Sequence, residues 1–365
     1  MKDSMNKIII ATGGTGGHIF PSLSLANYLK EKYEIELTTD KRGFFYLKNF
    51  KKYKVTVINS DTIFGKNIFK VFLGTIKIIS SLIFSIFLIL KIKPKLIIGM
   101  GGYSSFPICL AGFLMRIPII IYENNLVLGR ANKLLLPLAR KILVSSKEVK
   151  GVNLKDYKKI SFCGYLIRDE ILNLRKYPEE ISSKKDLSVL IMGGSQSAKI
   201  FGEILPGIIV KCFQKGINLK IYQQCLEEQI GPIKKIYEKF KIKFELFSFS
   251  GNISKYYRQA DLAITRSGAS SLAELINLRI PFIAIPLPSS ADNHQFENAN
   301  YFYKKGYCIL LEQRFISNRL FEILLDLNKN EKKLLLMREK MKEHSDKNSF
   351  LQIEKLIKEI LYEKI

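Results

Sequence analysis

The sequence predicts an α/β protein built from two Rossmann-like, doubly wound domains. Three observations carry this: a length of 365 residues, a repeated alternation of short apolar runs with longer helical patterns, and a glycine-rich turn near the start of each half. Single hydrophobic cores stop growing at about 250–300 residues, so a chain of this length divides. With 47% hydrophobic and 25% charged residues and no low-complexity tract, both parts have the composition of packed domains.

The first series of runs is Lys7–Ala11, Leu96–Ile98, Pro118–Tyr122 and Lys141–Val144, and the second is Leu187–Met192, Leu219–Tyr222, Ala260–Ile264 and Pro281–Ile285. Each is apolar on both faces, the pattern of a parallel strand covered by helices above and below. Ile160–Cys163 closes the first series and puts the boundary near Gly164–Arg168. The N-terminal domain is expected over residues 1–165 and the C-terminal one over 166–349. Phe350, Ile353, Leu356, Ile357 and Ile360 stand at helical spacing, so residues 350–365 are expected to form a helix that packs back on the first domain.

The net charge of +25 comes mostly from lysines spread along the chain, without the arginine and aromatic clusters of nucleic-acid readers. No nucleic-acid partner is expected, and a basic surface suits anionic lipid or a phosphorylated substrate. The five cysteines are odd in number and contain no C-x-x-C pair, which fits buried thiols in a reducing compartment. No cleavable apolar segment precedes Gly13, so the chain is expected on the cytoplasmic side.

The chemistry concentrates in glycine turns that follow strands and precede helices. The first is Ala11-Thr-Gly-Gly-Thr-Gly-Gly-His18, the second Met192-Gly-Gly-Ser-Gln-Ser-Ala198, and a third is Arg266-Ser-Gly-Ala-Ser-Ser-Leu-Ala-Glu274. Glycines let phosphate-like groups approach backbone N–H donors at a helix N-terminus, whose dipole favours negative charge. Neither half keeps the G-x-G-x-x-G spacing with a later acidic residue that marks a dinucleotide site, so a dehydrogenase is disfavoured.

Six motifs in order resemble the MurG-type UDP-N-acetylglucosamine transferases, which convert lipid I to lipid II. They are Gly13–His18 with Pro21, Gly99–Tyr103, Glu123–Asn125, Gly193–Gln196, Arg266–Ala269 with Glu274, and Asp292–Gln295 with Asn298–Ala299. The resemblance implies the glycosyltransferase B fold, two domains facing across a cleft, with the donor held mainly by the C-terminal one and the lipid acceptor by the N-terminal one. It implies that Ser195 and Arg168 hold the UDP diphosphate, that Glu274 binds the ribose, and that Gln295 and Asn298 read the sugar. Thr15, Gly16, Gly17, Asn125, Ser250 and the helix start Ala269, Ser270, Ser271, Leu272 and Ala273 complete the implied donor set. Gly13, Gly14, Gly102 and Tyr103 form the implied acceptor set, with Gly16 and Gly17 also set against the acceptor diphosphate. The implied partners are UDP-N-acetylglucosamine, undecaprenyl-linked lipid I and an anionic membrane surface.

An inverting transfer needs a base for the acceptor hydroxyl and stabilisation of departing UDP. Of the three histidines, His18, His294 and His344, only His18 follows a phosphate turn at a helix start, where the dipole favours the neutral, basic form. It is the expected catalytic base, with capping of the turn as its alternative role. No D-x-D pair occurs, so neither metal nor other cofactor is expected, and helix dipoles with Ser195 and Arg168 would neutralise the leaving group.

The run from Ile78 to Leu90 is uncharged, but as a helix it would rise only about 20 Å against a hydrocarbon core of about 30 Å. Lysines flank it on both sides. A crossover helix is expected, covering the sheet with one face and dipping the other into a membrane interface. Departures from the family pattern are Tyr122 in place of the usual histidine, Tyr165-Leu166 in place of Asn-Pro, and Phe106 where small residues are usual. Rival readings are a sister lipid glycosyltransferase using UDP-galactose or UDP-glucose, and a non-catalytic nucleotide-sugar binder that recruits a partner to membranes.

Overall fold

The computed structural model describes residues 5–14, 16–48, 52–59, 68–174, 186–194, 198–248 and 253–362. It divides into two compact units, Met1–Arg168 with Asp346–Ile365, and Asp169–Ser345.

The first unit alternates strands and helices: β1 (Lys7–Ala11), α1 (Gly16–Leu29), β2 (Glu34–Thr39), α2 (Lys41–Leu47), β3 (Lys54–Val57), α3 (Ile68–Ile92), β4 (Leu96–Gly99), α4 (Ser105–Leu114), β5 (Ile119–Glu123), α5 (Arg130–Leu135), β6 (Lys141–Val144) and β7 (Ile160–Phe162). Its described strands form one parallel sheet in the order β3-β2-β1-β4-β5-β6-β7. Ile8, Ile9, Ile10, Ile97, Ile98, Ile120 and Ile121 are fully buried, because helices cover both faces. Alternate residues of β1 feed different cores: Ile8 and Ile10 pack with α1, while Ile9 and Ala11 pack with Leu88, Ile89 and Ile92 of α3 and Ile108 of α4.

The second unit begins with α6 (Asp169–Leu174) and continues β8 (Leu187–Met192), α7 (Ala198–Gln214), β9 (Leu219–Gln224), α8 (Glu227–Lys239), β10 (Lys243–Phe247), α9 (Ser254–Tyr257), β11 (Leu262–Thr265), α10 (Ala269–Asn277), β12 (Phe282–Ala284), α11 (His294–Lys304), β13 (Cys308–Leu310), α12 (Ile316–Lys329) and α13 (Glu331–Met341). Its described sheet is parallel in the order β10-β9-β8-β11-β12-β13.

The chain then returns to the first unit as α14 (Ser349–Tyr362), which lays Phe350, Ile353, Leu356 and Ile357 into the core beside α1. Tyr28 of α1 stacks on Phe350 with ring centroids 5.2 Å apart. Glu354, buried on α14, accepts hydrogen bonds from Tyr28 (2.9 Å), Lys32 (2.7 Å) and Lys358.

In each sheet the strand order reverses beside the unit's first strand, between β1 and β4 and between β8 and β11. Open α/β sheets bind ligands outside the carboxyl ends of the strands at that reversal. Every glycine turn singled out in the sequence follows one of those four strands.

Candidate active site

In the first unit, β1 ends in Thr12–Gly14 and β4 in Gly99–Tyr103, and the two turns interlock. The Ser104 hydroxyl donates to the Thr12 carbonyl at 2.9 Å. A Cβ on Gly13 would lie 1.6 Å from that hydroxyl oxygen, so only glycine fits. Gly101 and Gly102 have φ of 86° and 79°, and a Cβ on Gly101 would come within 3.0 Å of the His18 ring. His18, half-buried in the first turn of α1, therefore rests its imidazole on the paired glycines after β4.

Gly14, at φ 81°, donates its N–H to both carboxylate oxygens of Asp40, at 3.1 and 3.3 Å. Asp40 follows β2, caps α2 through the Gly43 N–H at 2.7 Å, and pairs with Arg42 at 3.0 Å. A buried anion thus already engages the N–H of the turn expected to receive the acceptor's diphosphate. Asp40 was not legible as a site residue: it follows Glu34–Thr39, whose apolar Ile35 and Leu37 alternate with charged and polar residues, and only its N-cap chemistry marks it locally.

At the end of β5, Glu123 is buried and accepts from the Asn125 N–H (2.9 Å), Asn125 Nδ2 (3.1 Å), the Gly129 N–H (2.8 Å) and Asn132 Nδ2 (3.0 Å). It shapes the loop that carries Asn125. Asn124 reaches the start of α1, its Nδ2 lying 3.5 Å from the Gly17 carbonyl. Tyr103 is half-buried, and Arg168 holds its guanidinium 5.1 Å from the Phe20 ring of α1. Phe106, the bulky departure, packs against the core that includes Ile108 and Cys109.

In the second unit, β8 leads into Gly193-Gly194 and β11 into Arg266–Gly268, joined by a hydrogen bond from the Arg266 N–H to the Met192 carbonyl at 3.2 Å. Gly194, at φ 68°, donates its N–H to the Gln224 side-chain oxygen at the end of β9, 3.2 Å away. Gly268 leads into α10 with no side-chain cap, so the first-turn N–H groups and the helix dipole point at an anion-ready end.

Beneath that turn lies Arg266, 5% exposed. Its guanidinium donates to the carbonyls of Ile285 (3.3 Å) and Pro286 (3.2 Å) and to Gln313 Oε1 (2.6 Å), and lies 4.8 Å from the Phe201 ring. These partners are all neutral. Burial lowers its pKa to about 10, which leaves it charged at neutral pH. On α10, Glu274 is buried and accepts the Tyr257 hydroxyl at 2.7 Å, so α9 fixes its carboxylate. Tyr257 carried no motif signal, because its role arises from helix placement.

Gln295 uses its side-chain oxygen internally, accepting from the N–H groups of Ser267 (3.2 Å) and Leu287 (3.0 Å), which leaves its amide NH2 as the group able to donate to a ligand. Asn298 is 1% exposed and donates to the Ser267 carbonyl at 3.2 Å. Its geometry is that of a brace for the Arg266–Gly268 turn. His294 turns its Nδ1 to the Ala291 carbonyl, and His344 packs edge-on against Tyr307. Thr15, Ser195 and Ser250 lie outside the described residues.

The glycosyltransferase family 28 N-terminal domain matches residues 8–144 and the family 28 C-terminal domain matches residues 188–357. The chain is 36% identical over 348 residues to a Pelagibacter ubique protein, covering 95% of this chain and 96% of that relative. It is 40% identical over 343 residues to a Rickettsia felis protein, covering 90% and 92%. Both relatives bear the name UDP-N-acetylglucosamine--N-acetylmuramyl-(pentapeptide) pyrophosphoryl-undecaprenol N-acetylglucosamine transferase. Among solved structures, Acinetobacter baumannii MurG aligns over 97% of this chain and 99% of its own, with a TM-score of 0.77 and 24% identity. A UDP-bound Staphylococcus aureus MnaA aligns over 98% and 97%, with a TM-score of 0.71 and 15% identity. These two likenesses speak to fold, and a fold of this kind hosts more than one chemistry.

Proposed function

The chain belongs to glycosyltransferase family 28, and from that premise we propose that it moves N-acetylglucosamine from UDP-N-acetylglucosamine onto the muramyl sugar of lipid I, giving lipid II for peptidoglycan synthesis. The observation that supports this most is the cluster in the second unit: an α10 start whose N-cap Gly268 carries no side-chain cap, a buried cation in the turn before it, and a carboxylate held by Tyr257 farther along the same helix. That is the polarity of a nucleoside diphosphate, with anion-seeking groups at one end and an acceptor for ribose hydroxyls at the other.

In this reading the acceptor hydroxyl oxygen attacks C1 of the donor sugar, and the bond from C1 to the β-phosphate oxygen breaks with its electrons leaving on UDP. His18 takes the hydroxyl proton. The α10 dipole and Arg266 offset the charge that grows on the diphosphate. The second unit then holds the donor, and the first supplies His18, Gly13, Gly14, Gly102 and Tyr103 to the acceptor. No divalent metal enters any step.

Membrane association at the cytoplasmic face belongs to the same reading. Among the described residues, no helix is long and apolar enough to cross a membrane. Instead α3 buries Leu88, Ile89 and Ile92 and exposes Ile76, Ile79, Ile83, Phe84, Phe87 and Leu90, beside Phe113 and Leu114 of α4. Exposed Lys77, Lys91, Lys93, Lys95 and Arg116 accompany this face. Apolar rows with basic neighbours bind anionic interfaces.

The decisive experiment is UDP release with several donors and acceptors, with chelator present. UDP-N-acetylglucosamine should release UDP only when a lipid I analogue is present. Turnover of UDP-galactose or UDP-glucose on diacylglycerol, or donor binding without turnover, would overturn the reading.

A further inference from the structure

We propose that Tyr122 and Asn124 form a positioning relay that sets His18 according to the geometry of the segment where the chain passes between its two units. The first observation is a defect in α1. Pro21 lies inside this helix, so the Gly17 carbonyl lacks the N–H donor that residue i+4 would give. Asn124 reaches this carbonyl from the end of β5, with Nδ2 at 3.5 Å. The residue next to that anchored carbonyl is His18.

The second observation is what holds Asn124. Its side-chain oxygen accepts the Tyr122 hydroxyl at 3.1 Å, and its carbonyl accepts the Ser145 hydroxyl at 2.9 Å. An amide whose oxygen is engaged in this way must present its NH2 toward Gly17. Tyr122 is 1% exposed, and burial keeps its phenol protonated, so the donor is always present.

The third observation is what else meets that phenol. The Gly164 carbonyl lies 3.5 Å from the same oxygen. Gly164 belongs to the stretch that ends at Arg168, the last residue of the first unit before the chain leaves it. Asp346, where the chain returns, accepts the neighbouring Tyr165 N–H at 3.0 Å. A Cβ on Gly164 would lie 2.6 Å from the Asp346 carboxylate and 2.8 Å from the Ser349 hydroxyl, so the outgoing and returning strands of chain are locked together beside Tyr122. The order is Gly164 carbonyl against the Tyr122 hydroxyl, Tyr122 hydroxyl to Asn124 Oδ1, Asn124 Nδ2 to Gly17 carbonyl. A shift of the crossing segment is thereby passed to the turn bearing His18.

The proposal rests on the reading of His18 as the base, and its test separates the two. The three histidines give three ring signals in NMR, and His18→Gln assigns the one that matters. Tyr122→Phe removes one hydroxyl; Asn124→Ala breaks the relay at its other end. Each should move the His18 signal, leave those of His294 and His344 in place, and lower kcat about tenfold to a hundredfold, the cost of a misplaced catalytic group. Donor KM should stay within about twofold, since the groups assigned to the donor's diphosphate and ribose, the α10 start, Arg266 and Glu274, lie in the second unit. The double variant should be no slower than Asn124→Ala alone, because links in one chain are not additive. Tyr122→His, which restores the residue usual in the family, should recover part of kcat and return the signal toward its original position.

An unmoved His18 signal in Tyr122→Phe would overturn the relay whatever happens to kcat, and so would losses that multiply in the double variant. A moved signal with unchanged kcat would uphold the relay and sink His18 as base.

Discussion

The two glycine turns occupy equivalent places in their sheets and differ in charge. Each follows the unit's first strand, each has a glycine at positive φ, and each donates that glycine's N–H to a side chain at the end of the neighbouring strand. At the first turn the acceptor is the carboxylate of Asp40; at the second it is the neutral amide of Gln224. The turn after β11, joined to the end of β8 through the Arg266 N–H, holds a buried guanidinium whose partners are neutral. One fold thus provides a turn prefilled with negative charge and another left positive. The positive one suits a departing diphosphate, whereas the first turn is followed by His18 in the first turn of α1.

The largest effect that would break this division is at His18. Replacing it with alanine should lower kcat by about 10²–10⁴, the usual worth of general base catalysis. Donor affinity, measured by equilibrium titration with UDP-N-acetylglucosamine, should change little. Near-normal kcat would reduce His18 to a residue that merely caps the turn.

An exchange of the two acceptors sharpens the contrast. Gln224→Glu puts a carboxylate where a diphosphate is expected, and like charges in close contact cost several kcal/mol, so donor KM should rise about 10-fold to 100-fold with kcat much less affected. Asp40→Asn leaves an oxygen for the Gly14 N–H and removes the charge. It should leave donor KM unchanged and alter acceptor KM by less than about tenfold, because Asp40 is paired with Arg42 and partly neutralised already. Steady-state kinetics with each substrate varied in turn distinguishes these outcomes. A donor KM that responds to Asp40→Asn instead would reverse the assignment of the turns.

This contrast marks the limit of what the sequence discloses. The central strands were legible because Ile8–Ile10, Ile97–Ile98 and Ile119–Ile121 are buried on both faces and read as continuous apolar runs. Four strands escaped that pattern: Glu34–Thr39, Lys54–Val57, Lys243–Phe247 and Cys308–Leu310. Three of them are sheet edges, and three carry Glu34, Glu36, Lys54, Lys243 or Glu245, so their hydrophobic signal is interrupted. The glycine turns were legible because strand, glycines and helix are contiguous in the chain. Asp40, Gln224 and Tyr257 were not, since their partners Gly14, Gly194 and Glu274 meet them only after the sheet and its helices assemble.

The smallest effect tests a difference behind the turns. The helix after the first turn, α1, is braced by α14 through Glu354, whereas α7, after the second turn, packs against α12 within its own unit. Hydrogen bonds from Lys32, then Lys358 and Tyr28, hold the Glu354 carboxyl at about 2, well below its ordinary value. A depressed carboxylate stabilises the folded state fully above its unfolded pKa of about 4.3, and that contribution is lost as pH falls toward the folded value. Because both lysines are about half exposed, solvent screening holds the brace to about 1 kcal/mol. Glu354→Gln should therefore lower Tm by about 2–4 °C at pH 7. The gap from the parent chain should stay constant down to about pH 5 and close between about pH 4.3 and pH 2. Calorimetry across that range reads both numbers, and a gap that persisted at pH 2 would mean that α14 is held by Phe350, Ile353, Leu356 and Ile357 alone, with the carboxylate adding nothing to the brace.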